Sequence, residues 1–393
     1  MKRKRKVKKN SPIRRLIIIM AALALAFSVV FVTASLFGAM PFSGISARIR
    51  AYVLGDDGRE FPVRINAMNT QSADLYDFGF YVLSDMEIKL YDFSGTLRLT
   101  KQHNYTSPAV SAGKYGVMVY DRSGTDYMLI KKYKVVKEAA SKDGDILTAR
   151  AGRSGNLAFS VRSGDATSML YVTDRSGEDI FIWKCAYEHI VSVALSDNEK
   201  CVASASIGAK DGDVVSTVHI FGFDYSEPLF MHTFVGETVI RIKYLSDRLL
   251  YIFTDSGIYT VKRNKEIEQL KDFDSSELGF YSDSDNGVSA LALTKYGSSN
   301  LCELYVCGRR GKTLFSKEIE ADVSDVHTNG KYVFLLADDS VLVYNLKGEL
   351  LNNIELQMKI DKLFGNSRYV YLCAPDKIGR VFTLGQEQER QEK

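Results

Sequence analysis

The stretch VSDVHTNGKYVFLLADDSVLVYNLKGELLNNIEL, residues 323–356, decides the fold. It reads as four short strands: Val323–Thr328, then residues 331–337, 340–346 and 349–356. Turns at Asn329-Gly330, Asp338-Asp339 and Lys347-Gly348 separate them. A polar turn former followed by glycine suits the positive φ of a tight hairpin. Four antiparallel strands in 34 residues is the size of one propeller blade.

The same order recurs along the chain. First strands fall near residues 73, 107, 146, 190, 239, 279, 323 and 360, at spacings of 34 to 49 residues. This predicts an all-β β-propeller of four-stranded antiparallel blades, eight by this count, with seven as the alternative. The turn Tyr91-Asp92-Phe93-Ser94-Gly95 is repeated as Tyr120-Asp121-Arg122-Ser123-Gly124 and Thr173-Asp174-Arg175-Ser176-Gly177. Tyr344-Asn345-Leu346-Lys347-Gly348 is a weaker copy. The unit from Ile360 has three strands before the polar tail at Gln386. Residues 60–65 are strand-like and have no other partner, so they are expected to supply the fourth strand. Such closure protects edge strands that otherwise invite aggregation.

Ahead of these units, nine basic residues (Lys2, Arg3, Lys4, Arg5, Lys6, Lys8, Lys9, Arg14, Arg15) precede an uncharged apolar run, 16–37, from Leu16 to Phe37. No acidic residue occurs before Asp56. As a helix the run is about 33 Å long, enough to cross a hydrocarbon core of about 30 Å. A cleaved signal peptide has a shorter apolar region of about 7–15 residues, although Thr33-Ala34-Ser35 and Gly38-Ala39 offer small-residue sites. The run is therefore read as an uncleaved transmembrane helix. Its basic flank is expected in the cytoplasm, which places the rest of the chain outside it. The expected organisation is a basic cytoplasmic tail (1–15), the membrane helix (16–37), a spacer (38–59), an extracytoplasmic propeller (60–385) and a polar tail (386–393).

Charge excludes one class of partner. Nine of the 51 basic residues belong to the tail, leaving 42 against 48 acidic ones, a net charge of about −6. Such a body has no basic surplus with which to release counterions from nucleic acid. The five cysteines (Cys185, Cys201, Cys302, Cys307, Cys373) are odd in number and form no CxxC. Burial as free thiols is the default reading, with a Cys185–Cys201 disulfide left open. Cys302 and Cys307, five apart, fall on opposite faces of a strand.

The segments Ile182-Trp183-Lys184, IVSVALS (190–196), Cys201-Val202-Ala203 and Lys210-Asp211-Gly212-Asp213 resemble an uncharacterised bacterial family. Its members combine one N-terminal membrane span with a quinoprotein-like or WD40-like β-propeller. The hairpin at 115–124 is similar to the same family. The resemblance implies architecture across nearly the whole chain. The family is a domain of unknown function, so it implies no catalytic residues. Quinone-cofactor dehydrogenases share such a propeller but use repeated tryptophan motifs, and here Trp183 is the only tryptophan. With Phe181 and Cys185 on one strand face, it reads as blade packing. No cofactor is expected.

Other chemistry is thinly represented. Asp283-Ser284-Asp285-Asn286-Gly287 and Asp211-Gly212-Asp213 have the carboxylate-rich turns that calcium uses, but loop position 12 after Asp283 is Thr294 rather than glutamate. Asp/Gly turns are also ordinary hairpin chemistry. The histidines (His103, His189, His219, His232, His327) lack zinc spacing. There is no GxSxG, and Gly152-Arg153-Ser154-Gly155 lacks the Walker lysine. Tyr115, Tyr171, Tyr251, Tyr332, Tyr344 and Tyr369 fall in β runs, where packing is the structural reading. An exposed aromatic ring around the propeller mouth is the functional alternative. Catalytic, cofactor and metal residues are expected to be none.

The expected function is a non-catalytic binding or scaffold module, anchored in the membrane through Leu16 to Phe37. It would engage an envelope protein or cell-wall polymer through loops on one face. The alternative is an envelope hydrolase or lyase with carboxylates at the propeller channel. A structural partner of a larger membrane complex, packing through Ala21, Ala22, Ala24 and Ala26, is a third reading.

Overall fold

The computed structural model of the chain describes residues 61–65, 70–262, 265–273, 276–298 and 300–384. The expected tail 1–15, span 16–37, spacer 38–59 and polar end 386–393 lie outside the described residues. Among the described residues no helix is long and apolar enough to cross a membrane.

Eight four-stranded antiparallel sheets follow one another. Blades 1 to 7 cover residues 70–102, 108–140, 146–185, 189–235, 239–272, 276–320 and 323–355. Blade 8 combines Lys362–Gly365, Tyr369–Cys373 and Lys377–Phe382 with Val63–Arg64. The eight-blade count and the ring closure expected from the sequence are both present. First strands of neighbouring blades lie against one another, those of blades 5 and 6 through Arg241 on Tyr281 and Asp283, so these eight strands surround the axis. The face where linkers enter these strands is the entry face, and the face where they turn back is the exit face.

The second strands are buried on both sheet faces because each blade packs between two others. Tyr332–Ala337 and Leu249–Thr254 are buried at every position, so their sequences read as continuous apolar runs. Full burial stabilises each such Val, Leu, Ile or Phe by about 1.5–3 kcal/mol. The outermost strand Lys134–Ala140 instead alternates between exposed and half-buried positions, with charge facing solvent. The apolar clusters join neighbouring blades. Val333 and Leu335 of blade 7 pack with Leu304 and Val306 of blade 6, and Phe80 of blade 1 with Phe364 and Tyr371 of blade 8.

One repeated turn changes place. Tyr91–Gly95 and Thr173–Gly177 copies join third to fourth strands, and there Asp92 and Asp174 cap their own turns. The Tyr120–Gly124 copy joins the second strand of blade 2 to its third. Its Asp121 carboxylate instead accepts the amides of Thr106 and Ser107, at 3.0 and 2.8 Å, fixing the linker into blade 2. Local turn chemistry repeats where blade position does not.

Candidate functional site

The innermost strands carry a recurrent irregularity. In blades 1, 3, 4, 5, 6 and 7 the pairing of the first strand with the second shifts by one residue. The extra residues are Gln71, Leu147, Val191, Ile240, Gly279 and Ser324. A β-bulge bends its strand and re-aims side chains. Gln71, Ser72, Thr148, Val191, Ile240 and Arg241, at or beside these bulges, line an axial cavity of about 460 Å³. Ser107 and Arg122, from entry-face loops, stand at its rim.

The exit end is crossed by polar contacts. The Arg153 guanidinium, on the exit turn of blade 3, donates to the Asp285 carbonyl of blade 6 at 3.1 Å. It also pairs with Asp197 at 3.1 Å. Neighbouring exit turns are fastened together. Glu199 accepts the amides of Ser154 and Asn156, Asp247 accepts the Asn198 amide, and Asn286 donates to the Gly330 carbonyl. The cavity is thus a well whose rim lies on the entry face.

An ionic cluster lies in this channel. Arg241 donates from Nη1 to the Tyr281 hydroxyl at 3.0 Å, and its Nη2 is 3.1 Å from Asp283 Oδ2. Lys243 pairs with Asp283 and donates to the Ser284 carbonyl at 3.2 Å. Burial alone would raise the Asp283 carboxyl, but Arg241 and Lys243 outweigh it and hold the group below the usual carboxylate range. Arg150 makes no hydrogen bond or ion pair through its guanidinium with a described residue. The neighbouring Arg241 charge, with burial, pushes it below its ordinary value.

Further round the channel, burial raises the Asp325 carboxyl to about 6. Its oxygens accept the amides of Val326 at 2.9 Å and Leu363 at 2.8 Å, tying blade 7 to blade 8. Asp74 accepts the Leu75 amide at 2.7 Å. Burial lowers His327. The channel therefore uses its carboxylates mainly as structural acceptors.

Residues singled out in the sequence fall as follows. Asp283 is consumed by its two cations, and among the described residues no group of three or more His, Cys, Asp or Glu is placed to hold a metal. Asp211 and Gly212, both at positive φ (55° and 93°), form the tip of the long hairpin of blade 4. Trp183 packs between blades 3 and 4, with ring centroids 4.8 Å from both His219 and Phe221. All five cysteines are free, including Cys185 and Cys201. Tyr171, Tyr251, Tyr332, Tyr344 and Tyr369 are buried. Tyr115 lies in a turn, between Lys131 and Arg175 at 4.7 and 5.5 Å from its ring.

The sequence did not single out Arg150, Arg241 or Lys243. Their signal was one charged residue in the mostly apolar first strand Ile146–Ala151 and two in Val239–Ser246. It also missed the exposed residues Tyr187, Tyr225 and Tyr296. Large exposed apolar side chains in entry-face loops and at the mouth are Met86, Tyr187, Val191, Ile240, Tyr296 and Met358. In the exit turns, among the described residues, Tyr225 is exposed, and Leu97 and Leu350 are half-exposed where fourth strands leave those turns.

The match to the Family of unknown function (DUF5711) covers residues 63–381, and the chain belongs to that family. A search of curated proteins finds no match. Among solved structures, the chain is similar to a "eukaryotic initiation factor", at 11% identity and a TM-score of 0.57, covering 80% of this chain and 86% of that one. It is similar to the C-terminal WD40 domain of Sif2 at 11% identity and a TM-score of 0.55, covering 82% and 99%. BamB from Moraxella catarrhalis gives 12% identity and a TM-score of 0.48, covering 81% and 99%. At such identities the likeness is one of fold.

Proposed function

We propose that this propeller is a non-catalytic binding module, held outside the cytoplasm of a bacterial cell by the helix from Leu16 to Phe37, and that its entry face docks an envelope protein. The basic cluster before an uncharged run of membrane-spanning length supports the anchor and its orientation. The spacer 38–59 would join that helix to the propeller. Tethering raises effective concentration at the membrane and restricts the accessible partners.

The observation that carries the choice of face is the uneven placement of exposed apolar side chains. Tyr187 is 90% exposed, and Val191 and Ile240 form part of the well mouth. The exit turns, by contrast, spend their polar groups on one another. Aromatic and aliphatic groups on a rigid rim suit a protein partner better than a polysaccharide. Cell-wall polymer is the other outcome of the test.

The carboxylate hydrolase reading draws on Asp325, whose proton is held up to about pH 6. Both its oxygens, however, already accept backbone amides. We therefore favour binding. Replacing Tyr187 and Met358 with aspartate should abolish partner co-purification from crosslinked membranes, while Tyr225→Asp should leave it intact. Equal retention by all three variants would reject this face.

A further inference from the structure

The well holds a guanidinium, that of Arg150, which makes no hydrogen bond or ion pair with a described residue. Arg150 and Arg241 both line the cavity of about 460 Å³, a volume suited to a small metabolite or the tip of a larger ligand. Arg241 has Tyr281 and Asp283, although its Nε is buried without a hydrogen-bond partner. Among the described residues no carboxylate or carbonyl is within hydrogen-bond distance of the Arg150 guanidinium, and Asp283 acts on it only from farther away. Two like charges side by side in one pocket repel, and the half-buried Arg150 feels the neighbouring Arg241 charge most strongly.

The hydroxyls around it are oriented to donate. The Ser192 oxygen accepts the Ile242 amide at 3.2 Å, which leaves its own proton available. The Tyr281 oxygen accepts from Arg241, which leaves its proton available as well. Thr148 and Ser72 add two further hydroxyls to the lining. Arg122 stands exposed at the rim, where a cation steers anions inward. Against these, Asp283 is already paired, and Asp74 is occupied on one oxygen by the Leu75 amide.

We propose that the axial well is an oxyanion-binding site, in which a carboxylate or phosphate group seats between Arg150 and Arg241 and accepts from the Ser192 and Tyr281 hydroxyls. Guanidinium forks match the planar or tetrahedral oxygens of such groups and bind them bidentately. The occupant adds counter-charge where Asp283 is shared among Arg150, Arg241 and Lys243. The site stands on the well's own residues, whether or not the surrounding face docks a partner.

The test is thermal unfolding and titration calorimetry of the full chain in mild detergent, with inorganic phosphate and with malonate, against sodium chloride at matched ionic strength. At least one oxyanion should raise the unfolding midpoint saturably where chloride does not. A response to phosphate alone identifies a phosphate ligand, and a response to malonate alone a carboxylate. Arg150→Gln should raise the midpoint of the unliganded protein and weaken oxyanion binding at least tenfold. Tyr281→Phe should weaken it severalfold, and the exposed Arg310→Gln should change nothing. No saturable response to either probe, or one that survives Arg150→Gln, would overturn the assignment.

Discussion

Val63 pairs antiparallel with Ile378, and this contact joins the first described strand to the last. The Ile65 amide extends the pairing by donating to the Asp376 carbonyl at 2.9 Å. Ile378 is fully buried and Val63 nearly so, both in the cluster between blades 8 and 1. The ring is therefore closed by backbone pairing and by apolar burial together.

Ile378→Ala should cost about 2–5 kcal/mol, as large-to-small core changes do. Removing residues 1–65 should cost more and expose the edge of Lys377–Phe382 to association. Chemical denaturation with light scattering checks both. An unchanged midpoint and a monomeric truncated chain would show that the closing strand is dispensable.

Two channel carboxylates should give opposite pH dependences. Asp325, raised to about 6 by burial, holds its proton more tightly folded than unfolded. Its contribution is full below about pH 4 and is lost as pH rises through about 6. That loss amounts to no more than about 3 kcal/mol. Asp283 is held below the usual range once its two cations overcome burial. Its contribution is full above about pH 4 and is lost as pH falls towards its folded value. Urea unfolding from pH 3 to 8 should show Asp325→Asn flattening the upper slope and Asp283→Asn the lower one.

Asp283→Ala should also be the more damaging at neutral pH. It leaves the half-buried Arg241 and Lys243 without their carboxylate, a loss of about 3 kcal/mol at most. A change below about 1 kcal/mol would mean that the cluster is solvated.

Thiol chemistry should follow burial. Cys302 and Cys307 are pushed up to about 11, and Cys373 to about 12, by removal from water. Cys201 is the half-buried one of the five. Native protein should therefore react slowly with a thiol reagent at pH 8, with Cys201 first, and all five should react after denaturation. Two rapidly modified thiols, or a disulfide on a non-reducing gel, would contradict the packing.

Much of this architecture was legible in the sequence because blades repeat their turns and their apolar second strands. The Asn329-Gly330 unit falls where it was expected, and the strand at 60–65 closes the ring through Val63 and Arg64. Cys302 and Cys307 lie in different clusters, on opposite faces of one strand. The well was not legible. A bulge adds one residue without erasing a strand's apolar character, so Val191 and Ile240 look like any core position. Arg150, Arg241 and Asp283 come from blades 3, 5 and 6, and the packing of blades around the axis brings them together. Asp283 read as a calcium turn because its partners lie 40 or more residues earlier in sequence.

The most direct test is photocrosslinking in living cells, with a photoreactive residue at position 187 on the entry face or at 225 on the exit face. The account predicts one reproducible envelope-protein adduct from 187, lost on Met358→Asp, and none from 225. Adducts from 225 alone, or the same adducts from both positions, would contradict entry-face docking.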